Sequence, residues 1–199
     1  MVDIPFTISL IRHARTNGNL QKLYVGWTDD ELAEQQNLPV IDERVQQVYG
    51  SDLKRCRDSA SYYYPNASYL AIPELRESNF GDYEMKSYEQ LKNDVNYRQW
   101  IADAQHHHPP NGETLIQLTT RVMNGLTKIP QAMNWHLVSH GGPIRAILVQ
   151  LAPQPSSFWD WQIGHDEQYI LSFPSFQYFK EGQRCTSLSV VPITEKNPM

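Results

Sequence analysis

Residues 6–13 read FTISLIRH, a short apolar run that ends directly in an arginine and a histidine. The run is rich in residues that favour strands, and its apolar character is typical of a strand buried on both faces of a sheet. We therefore predict a central strand over residues 6–11, with Arg12 and His13 at its carboxyl end.

A second segment repeats this arrangement later in the chain. Residues 135–139 read WHLVS and lead into His140, which is followed by two glycines and Pro143. Residues 144–151 then have the apolar spacing of a helix, and proline is favoured in the first turn of a helix. The pattern predicts a strand, a glycine turn and a helix, with His140 at the end of the strand.

Strands and helices alternate along the rest of the chain. This alternation predicts a three-layer α/β/α fold, in which helices cover both faces of a mostly parallel central sheet. We predict one domain over residues 1–199, with a helical lid insertion at about residues 82–126 above the strand ends. The further helices are predicted at residues 30–36, 52–62, 87–104 and 114–126, and the further strands at residues 45–49, 68–72, 169–173 and 187–191.

The composition fits a globular protein of a reducing compartment. The chain has 199 residues, of which 40% are hydrophobic, so one large core can form without disulfides. The two cysteines, Cys56 and Cys185, have no CxxC spacing. The first residues do not have the pattern of a secretory signal, and no apolar run approaches the roughly 18 residues that a membrane helix needs. We therefore expect a cytoplasmic protein with no membrane partner.

The net charge of −5 limits the kind of ligand. Proteins that bind nucleic acid usually carry a basic excess on one face, so nucleic acid is not expected as a partner. An anionic ligand must therefore be held by cations placed close to it.

Two histidines, His13 and His140, follow predicted strands, and ligands gather at the carboxyl ends of strands in α/β sheets. Neither has the spacing of a metal site, and each lies beside a cation or a glycine turn. They indicate an anion site, with no metal and no cofactor. A lone histidine is more often structural or solvated, and we interpret His136, His165 and the run at residues 106–108 in this way.

Further short blocks accompany the two histidines. After His13 the chain reads ARTNGN, which ends in Asn19, and the second strand end reads SHGGPIR. Between them lie residues 24–29 (YVGWTD), 51–56 (SDLKRC), 75–84 (LRESNFGDYE) and 110–114 (PNGET). In this order the blocks resemble the histidine phosphatase superfamily, also called the phosphoglycerate mutase-like family, and they cover most of the chain.

The resemblance implies a metal-independent phosphomonoesterase that works through a phosphohistidine. His13 would be the nucleophile, and it must be neutral to attack phosphorus. Glu77 would be the general acid that protonates the leaving oxygen and then the base that activates water. The other implied site residues are Arg12, Arg55 and His140 around the phosphoryl oxygens, His140 being most useful when protonated, and Asn19, Gly26 and Gly141 as further substrate contacts.

Two positions depart from the usual fingerprint of the family, Arg-His-Gly-Glu-Thr. Ala14 replaces the glycine and removes the φ freedom of that residue, while Arg15 replaces the glutamate with a cation. Neither change deletes a group that the resemblance assigns to the reaction. We therefore expect activity to survive with an altered substrate preference, and a catalytically silent phosphate-binding protein is the alternative.

The segment between the blocks at residues 75–84 and 110–114 distinguishes mutases from phosphatases. Mutases of the family generally carry extra basic residues that hold a second phosphate, and no such cluster occurs here. The two blocks look most like those of the α-ribazole-5′-phosphate phosphatases, which belong to cobalamin nucleotide-loop synthesis. The cations of the segment are Lys86, Lys92 and Arg98.

The expected substrate is a small-molecule phosphate monoester. A flat base in the leaving group would have aromatic side chains of the lid to stack on, although aromatic residues at helical spacing more often belong to a core. A phosphoglycerate mutase and a broad-specificity phosphatase are the alternatives within the family, and a homodimer is the oligomer we consider. The lid aromatics are Tyr83, Tyr88, Tyr97 and Trp100.

Overall fold

The computed structural model describes residues 4–34 and 36–193, which contain one six-stranded sheet. The strands are β1 (Phe6–Arg12), β2 (Gln47–Gly50), β3 (Ser68–Ala71), β4 (Asn134–Ser139), β5 (Glu167–Phe173) and β6 (Ser187–Pro192). Their spatial order is β3-β2-β4-β1-β5-β6. β1 therefore lies in the interior of the sheet, as its apolar sequence predicts.

Parallel pairing places the ends of β1 and β4 together. Arg12 lies opposite Ser139, and the amide of His13 donates to the carbonyl of Ser139 at 2.9 Å. β2 pairs in parallel with both β3 and β4, whereas β5 pairs antiparallel with both of its neighbours, β1 and β6. The prediction of a mostly parallel sheet is confirmed. Because parallel strands end at the same edge, His13 and His140 leave the sheet side by side.

The helices in the described part of the chain are α1 (Asn17–Leu20), α2 (Lys54–Tyr63), α3 (Tyr88–Leu91), α4 (Val95–Ala102), α5 (Leu115–Leu126), α6 (Gly141–Leu151) and α7 (Phe176–Lys180). Side chains of β4 alternate between the two faces of the sheet. Trp135 and Leu137 belong to one buried cluster with residues of α5 and α6, whereas Val138 packs with Cys56 and Ala60 of α2. The three-layer architecture is therefore confirmed.

The helix predicted at residues 30–36 is wrong, because the described residues of that segment form no helix. Leu32 instead forms a bridge with Thr16, and the amide of Ala33 donates to the carbonyl of Arg15 at 2.9 Å. These contacts engage backbone groups that a helix would need for its own hydrogen bonds.

The helix predicted at residues 87–104 is interrupted and forms α3 and α4. Asp94 begins the second of these helices, since its carboxylate accepts the amide of Tyr97 at 2.8 Å. An aspartate in this position satisfies one of the backbone donors that every helix start leaves unpaired. A strong N-cap therefore divides one apolar pattern into two elements.

Residues 80–100 carry a small apolar cluster, the lid cluster. Tyr83, Leu91 and Tyr97 are its buried members, and Phe80 and Trp100 pack against them. Its link to the main body includes Tyr24, whose hydroxyl lies 2.7 Å from that of Tyr97. The arrangement fits the predicted lid, and the single domain with its insertion stays a prediction.

None of the helices within residues 4–34 and 36–193 is long and apolar enough to cross a membrane. Cys56 and Cys185 are both free thiols, and both are buried. The expectation of a fold without disulfides agrees with these two side chains.

Candidate active site

His13 lies at the carboxyl end of β1 and is 2% exposed. Its Nδ1 lies 2.7 Å from the carbonyl oxygen of Ala14. A carbonyl can only accept, so Nδ1 carries the ring proton and Nε2 keeps its lone pair. Burial, together with the charges of Arg55 and Arg12, holds the pKa of His13 well below 6.5. The ring is therefore neutral, with Nε2 as a nucleophilic nitrogen.

Arg12, the residue before His13, provides a buried donor whose charge acts on the ring of His13. One guanidinium nitrogen, Nη1, donates to the carbonyl of Ile163 at 3.0 Å. Its Nε is buried and has no hydrogen-bond partner among the described residues. Burial is the main cause that lowers the pKa of Arg12, and the carboxylate of Glu77 opposes it. A buried N–H without an acceptor costs stability, and an anion at this position would satisfy it.

Arg55 of α2 is fully buried and approaches the site from the other face of the sheet. Its Nη1 donates to the carbonyl of Thr28 at 3.0 Å and its Nη2 to that of Gly26 at 2.5 Å. Its Nε donates to Nδ1 of His140 at 3.2 Å. All three acceptors are uncharged. The positive charge of the guanidinium thus remains available to an anionic ligand.

His140 directly precedes the first turn of α6, and its ring centroid lies 5.0 Å from that of His13. Because Arg55 donates to Nδ1, the ring proton lies on Nε2, which is 2.7 Å from the hydroxyl of Ser51. Burial and the charge of Arg55 hold the pKa of His140 well below 6.5. The structure therefore contains a neutral His140 that orients Arg55, in contrast to the protonated form expected from the sequence.

Glu77 faces the first turn of α6 and is 8% exposed. Its Oε1 accepts the amide of Gly142 at 2.9 Å and that of Ser78 at 2.8 Å. A β-carbon on Gly142 would collide with this oxygen, so the close approach requires glycine. A β-carbon on Gly141 would lie 3.7 Å from Oε2 of Glu77 and 3.7 Å from Cζ of Arg12. The carboxylate and the guanidinium therefore face the same point.

Asn19 and Gly26 have structural contacts of their own. The side-chain oxygen of Asn19 accepts the amide of Thr16 at 3.1 Å and completes the cap of α1. The amide of Gly26 donates to Glu84 at 3.1 Å, and its carbonyl accepts from Arg55. Gly26 thus supports the arginine. Its contact with substrate, and that of Asn19, stay predictions.

The two departures from the family fingerprint leave the site intact. The described non-glycine residues with positive φ do not include Ala14, so its backbone does not need the freedom of glycine. The amide of Ala14 donates to the hydroxyl of Ser59 at 2.8 Å. The guanidinium of Arg15 lies 3.2 Å from the carboxylate of Asp166, with the arginine side chain half exposed. Arg15 therefore points towards the surface.

His165, interpreted from the sequence as structural or solvated, lies against His13. Its Nδ1 donates to the carbonyl of His13 at 2.7 Å, and the two ring centroids are 5.7 Å apart. Burial lowers its pKa to about 4. The signal that could have found it is topological: β5 runs antiparallel to β1, so the turn before β5 reaches the end of β1.

A cavity of about 540 Å³ opens beside Glu77 and Gly142. This volume suits a small organic ligand. Of the four lid aromatics singled out in the sequence, Trp100 lines the cavity, Tyr83 and Tyr97 are buried in the lid cluster, and Tyr88 is exposed. Arg145 is the cation among the described lining residues. The aromatic lining residues are Tyr24, Phe80, Trp100, Phe158 and Trp159.

The donor set of this site suits a phosphoryl group. Buried guanidinium groups supply positive charge, a neutral imidazole supplies a nucleophile, and a carboxyl group adjoins the cavity. The described residues contain no group of three or more His, Cys, Asp or Glu side chains that could hold a metal ion.

The family model described as histidine phosphatase superfamily (branch 1) matches residues 8–188. The chain therefore belongs to this superfamily and is a phosphatase, a hydrolase of phosphoric monoesters.

Characterised relatives give a narrower comparison. The adenosylcobalamin/alpha-ribazole phosphatase of Escherichia coli K12 is 29% identical over 169 residues, which cover 77% of this chain and 83% of that protein. The crystal structure of the alpha-ribazole phosphatase from Shigella flexneri has a TM-score of 0.75 at 28% identity, covering 84% of this chain and 91% of that one. A phosphoglycerate mutase from Thermus thermophilus has a TM-score of 0.67 at 26% identity, covering 94% and 99%.

The neutral histidines make folding stability depend on pH. His13, His140 and His165 resist protonation in the folded protein, whereas in the unfolded chain they bind protons near pH 6.5. The unfolded state therefore binds more protons below this pH, and stability present above pH 6.5 is lost as the pH falls. We expect the free energy of unfolding in urea to fall between pH 7 and pH 5, by at most about 1.4 kcal/mol per pH unit for each histidine.

The control for this prediction separates buried from exposed histidines. His165→Asn should flatten the pH dependence of the free energy of unfolding, whereas His107→Asn, at an exposed side chain, should leave it nearly unchanged. An unchanged slope in His165→Asn would contradict the assignment of this histidine.

Proposed function

We propose that this protein hydrolyses small phosphate monoesters without a metal, in two displacements through a phosphorylated His13. The observation that carries the proposal is the hydrogen bond from Nδ1 of His13 to the carbonyl of Ala14, which leaves Nε2 unprotonated in a buried site. The charges of Arg12 and Arg55 act on the ring of His13, and in this proposal they stabilise the negative charge of the transferring group.

In the first displacement, Nε2 of His13 attacks phosphorus and the ester P–O bond breaks. Glu77 enters this step protonated and gives its proton to the leaving oxygen, which departs as an alcohol. In the second displacement, the Glu77 carboxylate takes a proton from water as the water oxygen attacks phosphorus and the N–P bond breaks. Glu77 is protonated again, His13 is neutral again, and phosphate is released.

Four further residues hold the oxygens of the phosphoryl group in this proposal. Arg12 and Arg55 provide forked donors, and Asn19 provides an amide N–H. Without a ligand, the neutral His140 accepts from Arg55. A dianionic ligand favours the protonated form, in which Nδ1 gives up this hydrogen bond and can donate to a phosphoryl oxygen instead. The first turn of α6, where Gly141 lies, adds backbone amides and the positive end of the helix dipole.

His13→Ala should abolish turnover, because it removes the nitrogen that forms the covalent intermediate. Rapid quenching without acid, followed by mass spectrometry, should find phosphate on His13 of the unmodified protein. His106→Ala serves as the matched control and should keep full activity. Phosphate found reproducibly on a different residue would refute the nucleophile assignment.

Glu77→Gln should lower kcat by about 10²- to 10⁴-fold for alkyl phosphates, whose leaving oxygen needs a proton. Aryl phosphates with an acidic phenol need less help and should lose much less. The measurement is kcat for a series of esters whose leaving groups have increasing pKa. Asp82→Asn serves as the control, because the carboxylate of Asp82 accepts from the side chain of Asn111. Equal losses for alkyl and activated aryl esters would argue against a general acid at position 77.

The substrate we propose is a nucleoside-like 5′-phosphate, with α-ribazole 5′-phosphate as the leading candidate. The names of the relatives in Escherichia coli and Shigella flexneri support this choice. The cavity beside Glu77 supports it as well, because flat aromatic walls favour a flat base. A phosphoglycerate carries further negative charge, for which the described lining residues offer the single cation Arg145.

This choice predicts a higher kcat/KM for α-ribazole 5′-phosphate than for 3-phosphoglycerate. Stacking on one aromatic ring contributes about 1 to 3 kcal/mol in nucleic-acid binders, which corresponds to roughly tenfold to a hundredfold. Trp100→Ala should reduce the difference and leave hydrolysis of a small aryl phosphate nearly unchanged. If 3-phosphoglycerate were preferred, with its isomer forming faster than free phosphate, the mutase alternative would be correct.

The setting of the enzyme belongs to the same proposal. We infer that it works in the cytoplasm, where the thiols of Cys56 and Cys185 stay reduced. A homodimer is the oligomer we propose, and sedimentation of the purified protein measures it directly.

A further inference from the structure

Arg121 of α5 holds the backbone on both sides of Glu77. Its Nη1 donates to the carbonyls of Glu74 and Arg76 at 2.7 and 3.0 Å, and its Nη2 donates to that of Glu77 at 3.1 Å. The carboxylate of Glu113 accepts the remaining donors, at 3.1 Å from Nε and 2.5 Å from Nη2. All five N–H donors of the guanidinium are thus in use.

The packing of α5 against the core holds Arg121 in place. Leu118 and Val122 of α5 are buried in the main core, and the side chain of Arg121 is 18% exposed. Glu113 also accepts the amide of Asn79 at 2.9 Å. Residues 73–79, which we call the acid loop, are therefore tied to α5 at several backbone atoms.

Glu84 makes a comparable set of contacts with the opposite charge. Its Oε1 accepts the amides of Trp27 and Phe80 at 2.9 and 3.0 Å, and its Oε2 accepts those of Gly26 and Thr28, both at 3.1 Å. Four backbone donors converge on this one carboxylate. Residues 26–28, which we call the arginine loop, present to Arg55 the carbonyls of Gly26 and Thr28.

Trp27 connects the two sets of contacts. Its indole Nε1 donates to the carbonyl of Glu77 at 2.9 Å. The guanidinium carbons of Arg76 and Arg121 lie 5.0 and 5.7 Å from the centroid of its ring. The arginine loop and the acid loop therefore meet at one side chain, while each has its own charged anchor.

We propose that Arg121 and Glu84 are positioning residues for two separate parts of the reaction. Arg121 sets the place of the Glu77 carboxyl group and so controls proton transfer to the leaving oxygen. Glu84 sets the arginine loop and so controls how Arg55 holds the phosphoryl group. The proposal rests on the roles of Glu77 and Arg55 in the proposed function.

The geometry defines what each substitution removes. Arg121→Lys keeps the positive charge but cannot reproduce five donors in a fixed planar fork. Glu84→Gln keeps the size of the side chain but replaces one acceptor oxygen with an NH₂ group that faces amide donors. A displacement of about 1 Å at a reacting group can lower a rate by roughly a hundredfold.

The experiment compares an alkyl phosphate, a nitrophenyl phosphate and inhibition by vanadate, which mimics the five-coordinate phosphoryl group. For Arg121→Lys we expect kcat on the alkyl ester to fall about tenfold to a hundredfold, with little change on the nitrophenyl ester or in vanadate affinity. For Glu84→Gln we expect weaker vanadate inhibition and a similar loss of kcat/KM on both esters.

Matched controls lie beside each anchor. Lys128→Met breaks the ion pair of Lys128 with Glu74, just beyond the end of α5, and Asp82→Asn removes a charge that is close to Glu84 in sequence and contacts Asn111. Both should leave all three readouts unchanged. Equal losses on both esters in Arg121→Lys, or an unchanged vanadate affinity in Glu84→Gln, would overturn the corresponding assignment.

A double-substitution test separates this proposal from the proposed function. If Arg121 acts through Glu77, adding Arg121→Lys to Glu77→Gln should cause little further loss on the alkyl ester. Independent, additive losses would overturn the positioning role, even if Glu77 is the general acid. A failure of Glu77→Gln to discriminate between esters would instead remove the proposed role of Glu77 itself.

A variant that fails to fold does not end the test. Glu113→Gln leaves the side chain of Arg121 unchanged and weakens the hydrogen bonds of residue 113 to Arg121 and to the amide of Asn79 in the acid loop. This variant should show the same selective loss on the alkyl ester in a milder form. Uniform losses in this variant would count against the proposal.

Discussion

Six pairs of residues join β1 to β4 in parallel, from Thr7 with Asn134 to Arg12 with Ser139. Parallel strands end at the same edge, so this register brings His13 and His140 next to each other at one point of the sheet. Helix α6 begins at that point, and Arg55 of α2 reaches it from the other face of the sheet. A shift in this pairing would move Arg12 and His13 away from His140 and the first turn of α6.

The site contains positively charged guanidinium groups that are buried away from water. Arg55 is fully buried among neutral acceptors, and Nε of Arg12 has no partner within the part of the chain that the structure describes. Burial keeps the neighbouring histidines neutral. Such an arrangement is unfavourable for the empty protein and favourable for a bound anion. Part of the stability gained from the apolar core is therefore offset at the site, in return for donors that are already oriented when the substrate binds.

The sequence predicted well what depends on local pattern. Arg12, His13 and His140 follow apolar runs that form strands, so their place at the sheet edge follows from element order. Arg55 and Glu77 could be found because their blocks resemble those of a known family. The pattern gave no sign of His165, since it reaches the site through an antiparallel strand whose direction the residues do not reveal.

Contacts between distant segments explain the remaining differences. The helix predicted at residues 30–36 fails because its backbone pairs with the loop after β1. Arg121 and Glu84 bind backbone atoms of distant segments. Every residue has a backbone carbonyl and almost every residue has an amide, so the residue types do not show which backbone groups these side chains bind. No reading of local periodicity can find such pairs.

The walls of the cavity come from several separated segments of the chain: Tyr24, the stretch with Phe80 and Trp100, and the turn with Phe158 and Trp159. None of these aromatic side chains is part of the group of arginines and histidines that would surround phosphorus in the proposed function. Changes in the aromatic side chains can therefore accumulate one at a time without altering the reacting groups. A protein built in this way can acquire a new leaving group over evolutionary time while its phosphoryl chemistry stays the same, and the same separation allows its selectivity to be redesigned in the laboratory.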